Sequence, residues 1–337
     1  MFIAILGSKS SGKTTVQNYL LDNKKFTLLR ICRDQRGQPA PRGDNSEGLF
    51  FSTALDLLNH VTRHWRSHFV TGDLTRRDII EIFVRRPFFM LVYVDAPVLL
   101  RFKRSVTEKL TLEDFVMQHD VESFGHLESP SAGTRDIDAD PSSLSSIRDL
   151  VNLRITNSFP SISDFHAYLD GLNLLHPGHL RPSWDAYFMM LASLASHRSN
   201  CMKRRVGAIL VRENRIVATG YNGTPRGLVN CNEGGCPHCN RASSPNSSYE
   251  CLCLHAEENA LLEAGRERVG QGGVLYCNTC PCLKCTIKII QTGVKEVVYN
   301  LTYKVDEESA RLFDHAGVKI RQYVVQEEAN FLPVSNS

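Results

Sequence analysis

The stretch His255-Ala-Glu-Glu-Asn-Ala-Leu-Leu-Glu-Ala-Gly265 and the run Pro281-Cys-Leu-Lys-Cys285 decide the fold of the second half of this chain. The first stretch predicts a helix that opens at His255 and stops at Gly265. Pro281 suits the first turn of a helix, where its missing N–H costs nothing, so Cys282 and Cys285 are predicted one turn apart on that turn. One His and two Cys bind a tetrahedral Zn²⁺ and leave its fourth position open, which is typical of catalytic zinc. We therefore expect His255, Cys282 and Cys285 to be zinc ligands.

Glu257 lies two residues after the predicted ligand His255, close enough to move protons beside the metal. A bound Zn²⁺ lowers the pKa of water from about 15.7 to roughly 7, and a neighbouring carboxylate can act as general acid and base. The pattern H-x-E followed by P-C-x-x-C is the signature of zinc nucleobase deaminases. Glu257 is thus the predicted catalytic residue. Two alternatives stay open, namely a structural zinc site and buried cysteines without metal.

The elements around these two helices predict a mixed sheet. Ser183 can cap a helix that runs through residues 184–199 (WDAYFMMLASLASHRS), as Ser often does. Residues 206–211 and 215–220 predict a β-hairpin, and the two ligand-bearing helices then alternate with strands at 274–278, 296–300 and 318–323. A helix from Asp306 precedes the last strand. The expected fold is an α/β/α sandwich with a five-stranded mixed sheet, similar to cytidine deaminases.

The first half of the chain opens with a different motif. Residues 2–6 (FIAIL) predict a buried strand, and Gly7-Ser-Lys-Ser-Ser-Gly12-Lys13-Thr14 then fits G-x-x-x-x-G-K-[ST] ahead of a predicted helix. Backbone N–H groups of such a loop cradle phosphates, Lys13 would reach the terminal phosphates and Thr14 could hold Mg²⁺. We therefore expect Gly7, Gly12, Lys13 and Thr14 to bind a nucleotide.

Further along, a strand at 88–94 is followed by Asp95, Arg101 and Arg104, and residues 151–173 read as a last strand and helix. Together with the loop, this half resembles the P-loop nucleoside and nucleotide kinases, dephospho-CoA kinase in particular. A working kinase and a structural or regulatory nucleotide-binding domain both stay open, because Asp95 is the one evident acidic partner for Mg²⁺ and no acceptor-binding motif stands out.

Composition bounds the class of protein. The 337 residues are 42% hydrophobic and 22% charged, which is typical of a soluble globular chain of two domains. The stretch 177–182 (PGHLRP) marks the boundary, so we expect a kinase-like domain at 1–176, with a disordered insertion at 128–146, and a deaminase domain at 180–325. The segment Arg33 to Gly48 has the same composition as the insertion.

Charge, hydrophobicity and cysteine content also indicate which partners and which cellular compartment to expect. A net charge of +3 does not favour nucleic acid as a partner, and no apolar run is long enough to cross a membrane. The start of the chain lacks the basic and apolar regions of a signal peptide. Most of the 11 cysteines lie between Cys201 and Cys285, several at C-x-x-C spacing. They predict metal ligands in a reducing compartment, hence a cytoplasmic protein.

Residues about 180–323 resemble the deoxycytidylate (dCMP) deaminase family. The resemblance rests on RPSWDAYFMMLASLASHRSNCMKRRVGAILV, on Gly220-Tyr-Asn-Gly-Thr-Pro225, and on LHAEENALL and PCLKC. A kinase-like first domain resembles the fungal form of that family. The resemblance implies that dCMP and water give dUMP and ammonia, which supplies dUMP for thymidylate synthesis. It also implies a homo-oligomer, typically a hexamer, activated by dCTP and inhibited by dTTP, with Mg²⁺ accompanying the effector nucleotide.

The resemblance extends to single residues. It implies that His255, Cys282 and Cys285 hold zinc and that Glu257 shuttles protons. Asn222, beside Tyr221, matches a position whose amide holds a pyrimidine nucleotide, and an amide can donate to and accept from a hydroxyl; a plain turn Asn before Gly is the alternative. Asn259 is a candidate substrate contact, and Arg266 matches an effector-linked position but could equally be a solvated cation near a helix end.

A second metal site is also implied by some viral and bacterial relatives. Six of the cysteines outside the catalytic set lie between residues 201 and 253, and Cys236-Pro-His-Cys239 has zinc-knuckle spacing. The predicted ligands of a closed four-thiolate zinc are Cys201, Cys236, Cys239 and Cys253. Cys231, Cys251 or His238 could replace any of them, and a site without metal stays open.

Two rival functions remain. A polynucleotide deaminase, acting on tRNA adenosine or single-stranded DNA cytidine, would share the zinc and Glu257 but needs a basic groove and stacking aromatics. The loop from Gly220 to Cys253 is instead rich in glycine, serine and cysteine. The other rival is a P-loop nucleotide kinase with an accessory zinc domain.

Overall fold

The computed structural model describes residues 1–31, 48–105, 110–125, 141–241, 250–302 and 307–324. The chain forms two compact units, and the division falls between Arg181 and Pro182, at the end of the stretch 177–182. Every helix in the described part of the chain is too short or too polar to span a lipid bilayer.

The first unit is built on a six-stranded sheet of order β3-β2-β4-β1-β5-β6, in which every strand pair is parallel. Parallel neighbours need crossover connections, and among the described residues helices lie between β1 and β2, β3 and β4, β4 and β5, and β5 and β6. The strands are β1 (Phe2–Gly7), β2 (Thr27–Ile31), β3 (Leu49–Phe51), β4 (Phe69–Thr71), β5 (Phe89–Asp95) and β6 (Leu153–Thr156). The helices are α1 (Lys13–Lys24), α2 (Ala54–Arg63), α3 (Arg77–Val84), α4 (Val98–Arg104), α5 (Leu112–Phe124), α6 (Leu144–Ile147) and α7 (Ile162–Leu172).

Both faces of this sheet are covered, which explains why the central strand β1 reads as a continuous apolar run. All six residues of β1 are buried. Ile3 and Ile5 pack with helices α1 and α7 on one face, whereas Phe2 and Ala4 pack with α2 and α3 on the other. The sheet therefore forms the middle layer of three.

The second unit contains a five-stranded mixed sheet of order β11-β10-β9-β7-β8. Strands β9, β10 and β11 are mutually parallel, and β7 runs antiparallel to both β8 and β9. Its elements are α8 (Trp184–Ser196), β7 (Gly207–Arg212), β8 (Arg215–Tyr221), α9 (Pro237–Asn240), α10 (Ala256–Val269), β9 (Val274–Thr279), α11 (Leu283–Thr292), β10 (Glu296–Leu301), α12 (Glu307–His315) and β11 (Lys319–Gln322). The predicted hairpin and mixed five-stranded sheet are confirmed.

Successive residues of these strands point to opposite faces of the sheet, as the two-residue period of a strand requires. Ala208 and Leu210 pack against α10, α11 and α12. Ile209 and Val211 pack with α8 on the opposite face. The second unit is thus an α/β/α sandwich.

The predicted disordered insertion at 128–146 is partly wrong. Residues 128–140, like 33–47 of the earlier predicted loop, lie outside the described residues. Residues 141–146, however, lead into α6, where the Ser143 hydroxyl accepts a hydrogen bond from the Ser146 N–H and the residue is 2% exposed. Serine is common in loops and also caps helices, so composition alone misjudged this end of the segment.

Two helix boundaries also differ from prediction. Gly265 does interrupt α10, with φ 67 and ψ 155, but a further turn continues to Val269. Cys282 is the N-cap of α11, so Pro281 lies one residue before the N-cap and Cys285 falls in the first turn of the helix. The predicted spacing of one turn between the cysteines is nonetheless kept.

Candidate metal centre and active site

The three predicted zinc ligands converge at the starts of two helices. His255 is the N-cap of α10 and Cys282 the N-cap of α11. The His255 Nδ1 atom lies 3.4 Å from the Cys282 Sγ and 3.3 Å from the Cys285 Sγ. Tetrahedral zinc with Zn–N near 2.0 Å and Zn–S near 2.3 Å separates such atoms by about 3.6 Å. The donor set and its spacing therefore fit a zinc ion without rearrangement of the backbone.

The local fold brings the two helix starts together. Strand β9 runs directly into Cys280 and the α11 start, while a pair of hydrogen bonds between Gly223 and Leu254 fixes the residue before His255. Helix α10 lies very close to β8 at Gly220, where an added Cβ would come 2.0 Å from the Ala256 carbonyl oxygen. Only glycine permits this approach. The position of the first turn of α10 therefore depends on Gly220.

Hydrogen bonds among the three predicted ligands shift the pKa values of their side chains. A hydrogen bond with Cys285 lowers the pKa of Cys282 to about 3, and the same bond, together with burial, raises the pKa of Cys285. Hydrogen bonding to Cys282 raises the pKa of His255. A divalent metal would displace the protons of these side chains on binding.

Glu257 lies on the first turn of α10 beside this centre and is 3% exposed. Burial raises the pKa of its carboxyl group, since a carboxylate loses solvation there. A buried carboxyl beside the metal ligands is placed to accept and then donate a proton. Its position and its environment suit the predicted proton shuttle.

Sequence reasoning missed Glu258. Its carboxylate accepts a hydrogen bond of 2.6 Å from the His255 N–H, and it forms an ion pair with Lys288 of α11. A carboxylate also suits the positive end of a helix. Glu258 therefore links the two helices that carry the metal ligands. The sequence did contain a signal for this role, because Glu258 is an acidic residue at the third position of a predicted helix, where such residues bond to the N-cap backbone.

Asn222 and Asn259 lie near the centre but are engaged with the backbone. Asn222 is 6% exposed; its Oδ1 accepts from the Val206 N–H at 2.8 Å and its Nδ2 donates to the Arg204 carbonyl at 2.9 Å. Asn259 donates to the Tyr221 carbonyl at 2.7 Å. Each amide keeps unused hydrogen-bonding capacity, so substrate contact stays a prediction. Tyr221 ends β8 and Arg266 is an exposed residue beyond the Gly265 break.

The predicted four-thiolate set is not brought together as proposed. The described residues contain two further groups of cysteines whose sulfur atoms lie within 4.8 Å of one another. One combines Cys201 with Cys231, the other Cys236 with Cys251, and both include Cys239 and Cys253. Cys201 and Cys236 therefore belong to different groups. The spacing of cysteines along the chain could not predict this, because the two residues lie on loops that are far apart in the sequence.

The predicted phosphate-binding residues lie together in the first unit. Gly7 ends β1, Gly12 is the N-cap of α1 with φ 101, and Lys13 and Thr14 begin that helix. The loop borders a cavity of about 420 Å³ that is also lined by Arg104 and Asn157. The Lys13 Nζ donates to the carbonyls of Gly7 and Ser8 at 2.6 and 2.8 Å.

Comparisons with known proteins agree with this geometry. A model of the cytidine and deoxycytidylate deaminase zinc-binding region matches residues 182–301. The deoxycytidylate deaminase of Schizosaccharomyces pombe is 47% identical over 98% of this chain and 99% of its own length. That of Saccharomyces cerevisiae is 41% identical over 99% of this chain and 100% of its own.

Among solved structures, dCMP deaminase of the cyanophage S-TIM5 in complex with dCMP and dUMP is 33% identical. It covers 41% of this chain and 94% of its own, with a TM-score of 0.33. The two fungal proteins, in contrast, match this chain across both of its units. Their identity over nearly the full length shows that the chain belongs to the deoxycytidylate deaminase family of enzymes, which act on C–N bonds.

Proposed function

We propose that the chain catalyses the zinc-dependent hydrolytic deamination of dCMP to dUMP and ammonia. The observation that carries the proposal is the buried Glu257 beside the convergent His255, Cys282 and Cys285. The names of the fungal relatives support dCMP as the substrate. The product dUMP is the pyrimidine that thymidylate synthesis consumes.

The chain's own residues would do the following. His255, Cys282 and Cys285 hold the Zn²⁺, which when bound supplies Lewis-acid activation of water at neutral pH. The Glu257 carboxylate accepts the proton of the water whose oxygen adds to C4 of the cytosine ring. Glu257 then gives that proton to ring nitrogen N3 and helps transfer a proton to the exocyclic amine, so that the C4–N bond breaks and ammonia leaves. Burial keeps bulk water from competing for these protons.

The family resemblance extends the proposal to regulation and assembly. We infer activation by dCTP and inhibition by dTTP, with Mg²⁺ bound to the effector, in a homo-oligomer. Exposed Arg266 and Tyr221 are the candidate effector contacts on that resemblance. Nucleotide triphosphates carry several negative charges, which suits an arginine.

The test replaces Glu257 by glutamine, which keeps the size of the side chain and removes its proton chemistry. We expect the rate of ammonia release from dCMP to fall by at least about 10²-fold to 10⁴-fold, the usual contribution of a general acid–base residue. Zinc content should not change. Glu263→Gln, an exposed residue of the same helix, is the matched control and should behave as the wild type.

The same assay separates the rival deaminases. The wild-type protein should release ammonia from dCMP and not from a cytidine-containing DNA oligonucleotide or an adenosine-containing tRNA. Glu257→Gln protein with undiminished turnover of dCMP would contradict the proposed mechanism.

A second candidate function belongs to the first unit, for which we propose nucleotide binding in a P-loop, kinase-like fold. Ser11 of the loop is 1% exposed, and its hydroxyl has no hydrogen-bond partner among the described residues. It lines the 420 Å³ cavity together with Lys13 and Arg104. A buried hydroxyl without a partner is costly unless a ligand satisfies it, and the lysine and arginine favour a phosphate.

Binding of Mg²⁺-ATP to the full-length protein, measured by calorimetry, tests this candidate. We expect Lys13→Ala to weaken binding by about tenfold or more, since it removes a charge-assisted contact to phosphate. Lys103→Ala, on the exposed side of α4, is the control. Equal affinity of the Lys13→Ala and wild-type proteins would refute the assignment.

A further inference from the structure

Six cysteines outside the catalytic centre form two groups that overlap. Cys201, Cys231, Cys239 and Cys253 make up one group, and Cys236, Cys239, Cys251 and Cys253 the other, with all sulfur atoms of a group within 4.8 Å of one another. Cys239 and Cys253 belong to both. A tetrahedral metal takes four ligands, so each group by itself has the number of ligands that one ion needs.

The sulfur–sulfur distances fit metal coordination. They are 3.9 Å for Cys201 to Cys239, 3.5 Å for Cys239 to Cys251 and 3.9 Å for Cys239 to Cys253. Cys236 lies 4.0 Å from Cys251. Tetrahedral zinc with Zn–S bonds of about 2.3 Å puts two sulfurs about 3.8 Å apart, whereas a disulfide needs about 2.05 Å. The observed values therefore match the edges of zinc–thiolate tetrahedra.

A single ion would leave part of this cluster unexplained. An ion in the first group would exclude Cys236, and one in the second would exclude Cys231, yet both residues are 0% exposed. Two tetrahedra that share the edge from Cys239 to Cys253 use all six sulfurs. This differs from the single four-thiolate site that the sequence predicts.

We propose that the six cysteines bind two Zn²⁺ ions in one binuclear cluster, with Cys239 and Cys253 as bridging ligands and Cys201, Cys231, Cys236 and Cys251 as terminal ligands. On binding, the thiols lose their protons to solvent and no redox change is involved.

Hydrogen bonds to the terminal sulfurs support the assignment. The Met202 N–H donates to the Cys231 Sγ at 3.4 Å, and the Asn240 Nδ2 group donates to the same sulfur at 3.8 Å. A terminal thiolate is bound to one cation only and keeps more negative charge than a bridging one, so it gains more from such donors. Six thiolates also outweigh the charge of two Zn²⁺ ions, and the basic run after Cys201 offsets the excess.

The cluster would tie three separate segments to the catalytic centre. Its ligands come from the segment after α8, from the segment around α9, and from residues 251–253 just before His255. None of these segments is held mainly by sheet hydrogen bonds. A metal cluster there would fix the approach of the chain to His255.

Metal analysis of the full-length protein tests the proposal. Purified wild-type protein should contain three zinc ions per chain, namely two in the cluster and one at His255. The His255→Ala variant should retain two, so loss of the catalytic ion is distinguished from loss of the cluster. Two ions in the wild type and one in the variant would overturn the binuclear assignment.

Cadmium-113 NMR of the cadmium-substituted protein tests the bridges directly. Two resonances of four-thiolate type should show scalar coupling to each other, because shared sulfurs connect the two metals, and the catalytic cadmium should give a separate resonance without that coupling. A single four-thiolate resonance, or two without mutual coupling, would refute the shared ligands. Both measurements use the wild-type chain, so neither depends on a cysteine variant that folds.

Discussion

Glu257 and Glu258 are adjacent in the sequence, but their carboxyl groups have different surroundings and different roles. Glu257 is buried, and burial raises the pKa of its carboxyl group. Glu258 instead accepts from the His255 N–H and pairs with Lys288. Because successive helical residues point about 100° apart, two neighbouring acids of one helix meet different surroundings. Glu258 is therefore a positioning residue that acts through His255.

We expect Glu258→Ala to lower the zinc affinity of the catalytic centre by about 10-fold to 100-fold, as loss of a partner that orients a ligand usually does. Glu258→Gln keeps an acceptor for the His255 N–H and should restore most of that affinity. Competition with a chelator measures both, with Glu263→Ala as the control. A Gln variant as weak as the Ala variant would instead assign the effect to the Lys288 ion pair.

The residues of the catalytic centre could be identified from sequence because ligand type and short spacing carry the chemistry. His255, Cys282 and Cys285 lie together as their motif predicts. Asn222 could not be judged in the same way, since its engagement with the Arg204 and Val206 backbone is formed by residues distant in the sequence. The grouping of the cysteines outside the catalytic centre was left with alternatives for the same reason, and each observed group combines three of the predicted ligands with Cys231 or Cys251, which were among those alternatives.

At the scale of elements, the contact between β8 and α10 controls where the catalytic helix lies. An alanine Cβ at Gly220 would come 2.0 Å from the Ala256 oxygen and 2.5 Å from the Ala260 nitrogen. Both are backbone atoms, which cannot turn aside as a flexible side chain can. The helix would have to move away from the strand, and Glu257 would move with it.

Gly220→Ala should therefore destabilise the protein by about 1–3 kcal/mol, the usual cost of overpacking. Turnover of dCMP should fall by roughly 10²-fold in the folded variant, because a shift of about 1 Å in a catalytic group has that effect. Urea unfolding and steady-state kinetics measure the two effects. Gly171→Ala is the control, since a Cβ there meets nothing within 4 Å. Normal kinetics in the Gly220 variant would show that α10 tolerates the shift.

The order and type of elements around the site were predictable because hydrophobic period differs between strands and helices. The hairpin of β7 and β8 and the alternation of strands with helices after it agree with the prediction. Boundaries were less predictable. Pro281 precedes α11 and does not begin it. Proline is compatible with both positions, so the residue alone does not determine where the helix starts, and tertiary contacts decide it.

At the scale of the whole molecule, the chain joins two compact units with separate sites. Lys13 belongs to the first unit and the zinc ligands to the second. We expect Lys13→Ala to leave basal turnover of dCMP unchanged within error, because no residue of the proposed mechanism belongs to its unit. Steady-state kinetics of folded, zinc-loaded protein measures this. Loss of most turnover in such protein would show that the two sites do not act separately.

The sequence indicated the division into two units through the proline-rich stretch at 177–182 and the change of motif across it. It could not reveal the contacts made by the predicted phosphate-binding loop. There the backbone N–H of Lys9 already donates to the Glu122 carboxylate at 3.2 Å, a contact between residues more than a hundred positions apart. Such a contact depends on the packing of α5, which no local pattern encodes.

Zinc bound at the proposed six-cysteine cluster would make the stability of the second unit depend on free metal. An unfolded chain cannot hold these sulfurs at tetrahedral spacing, so metal binds the folded form. Free zinc at a concentration of about 100 times the dissociation constant of a site would add about 2.7 kcal/mol to the free energy of unfolding. The first unit has no such linkage among its described residues. On that proposal, zinc depletion would lower the free energy of unfolding of the second unit and leave that of the first unit unchanged.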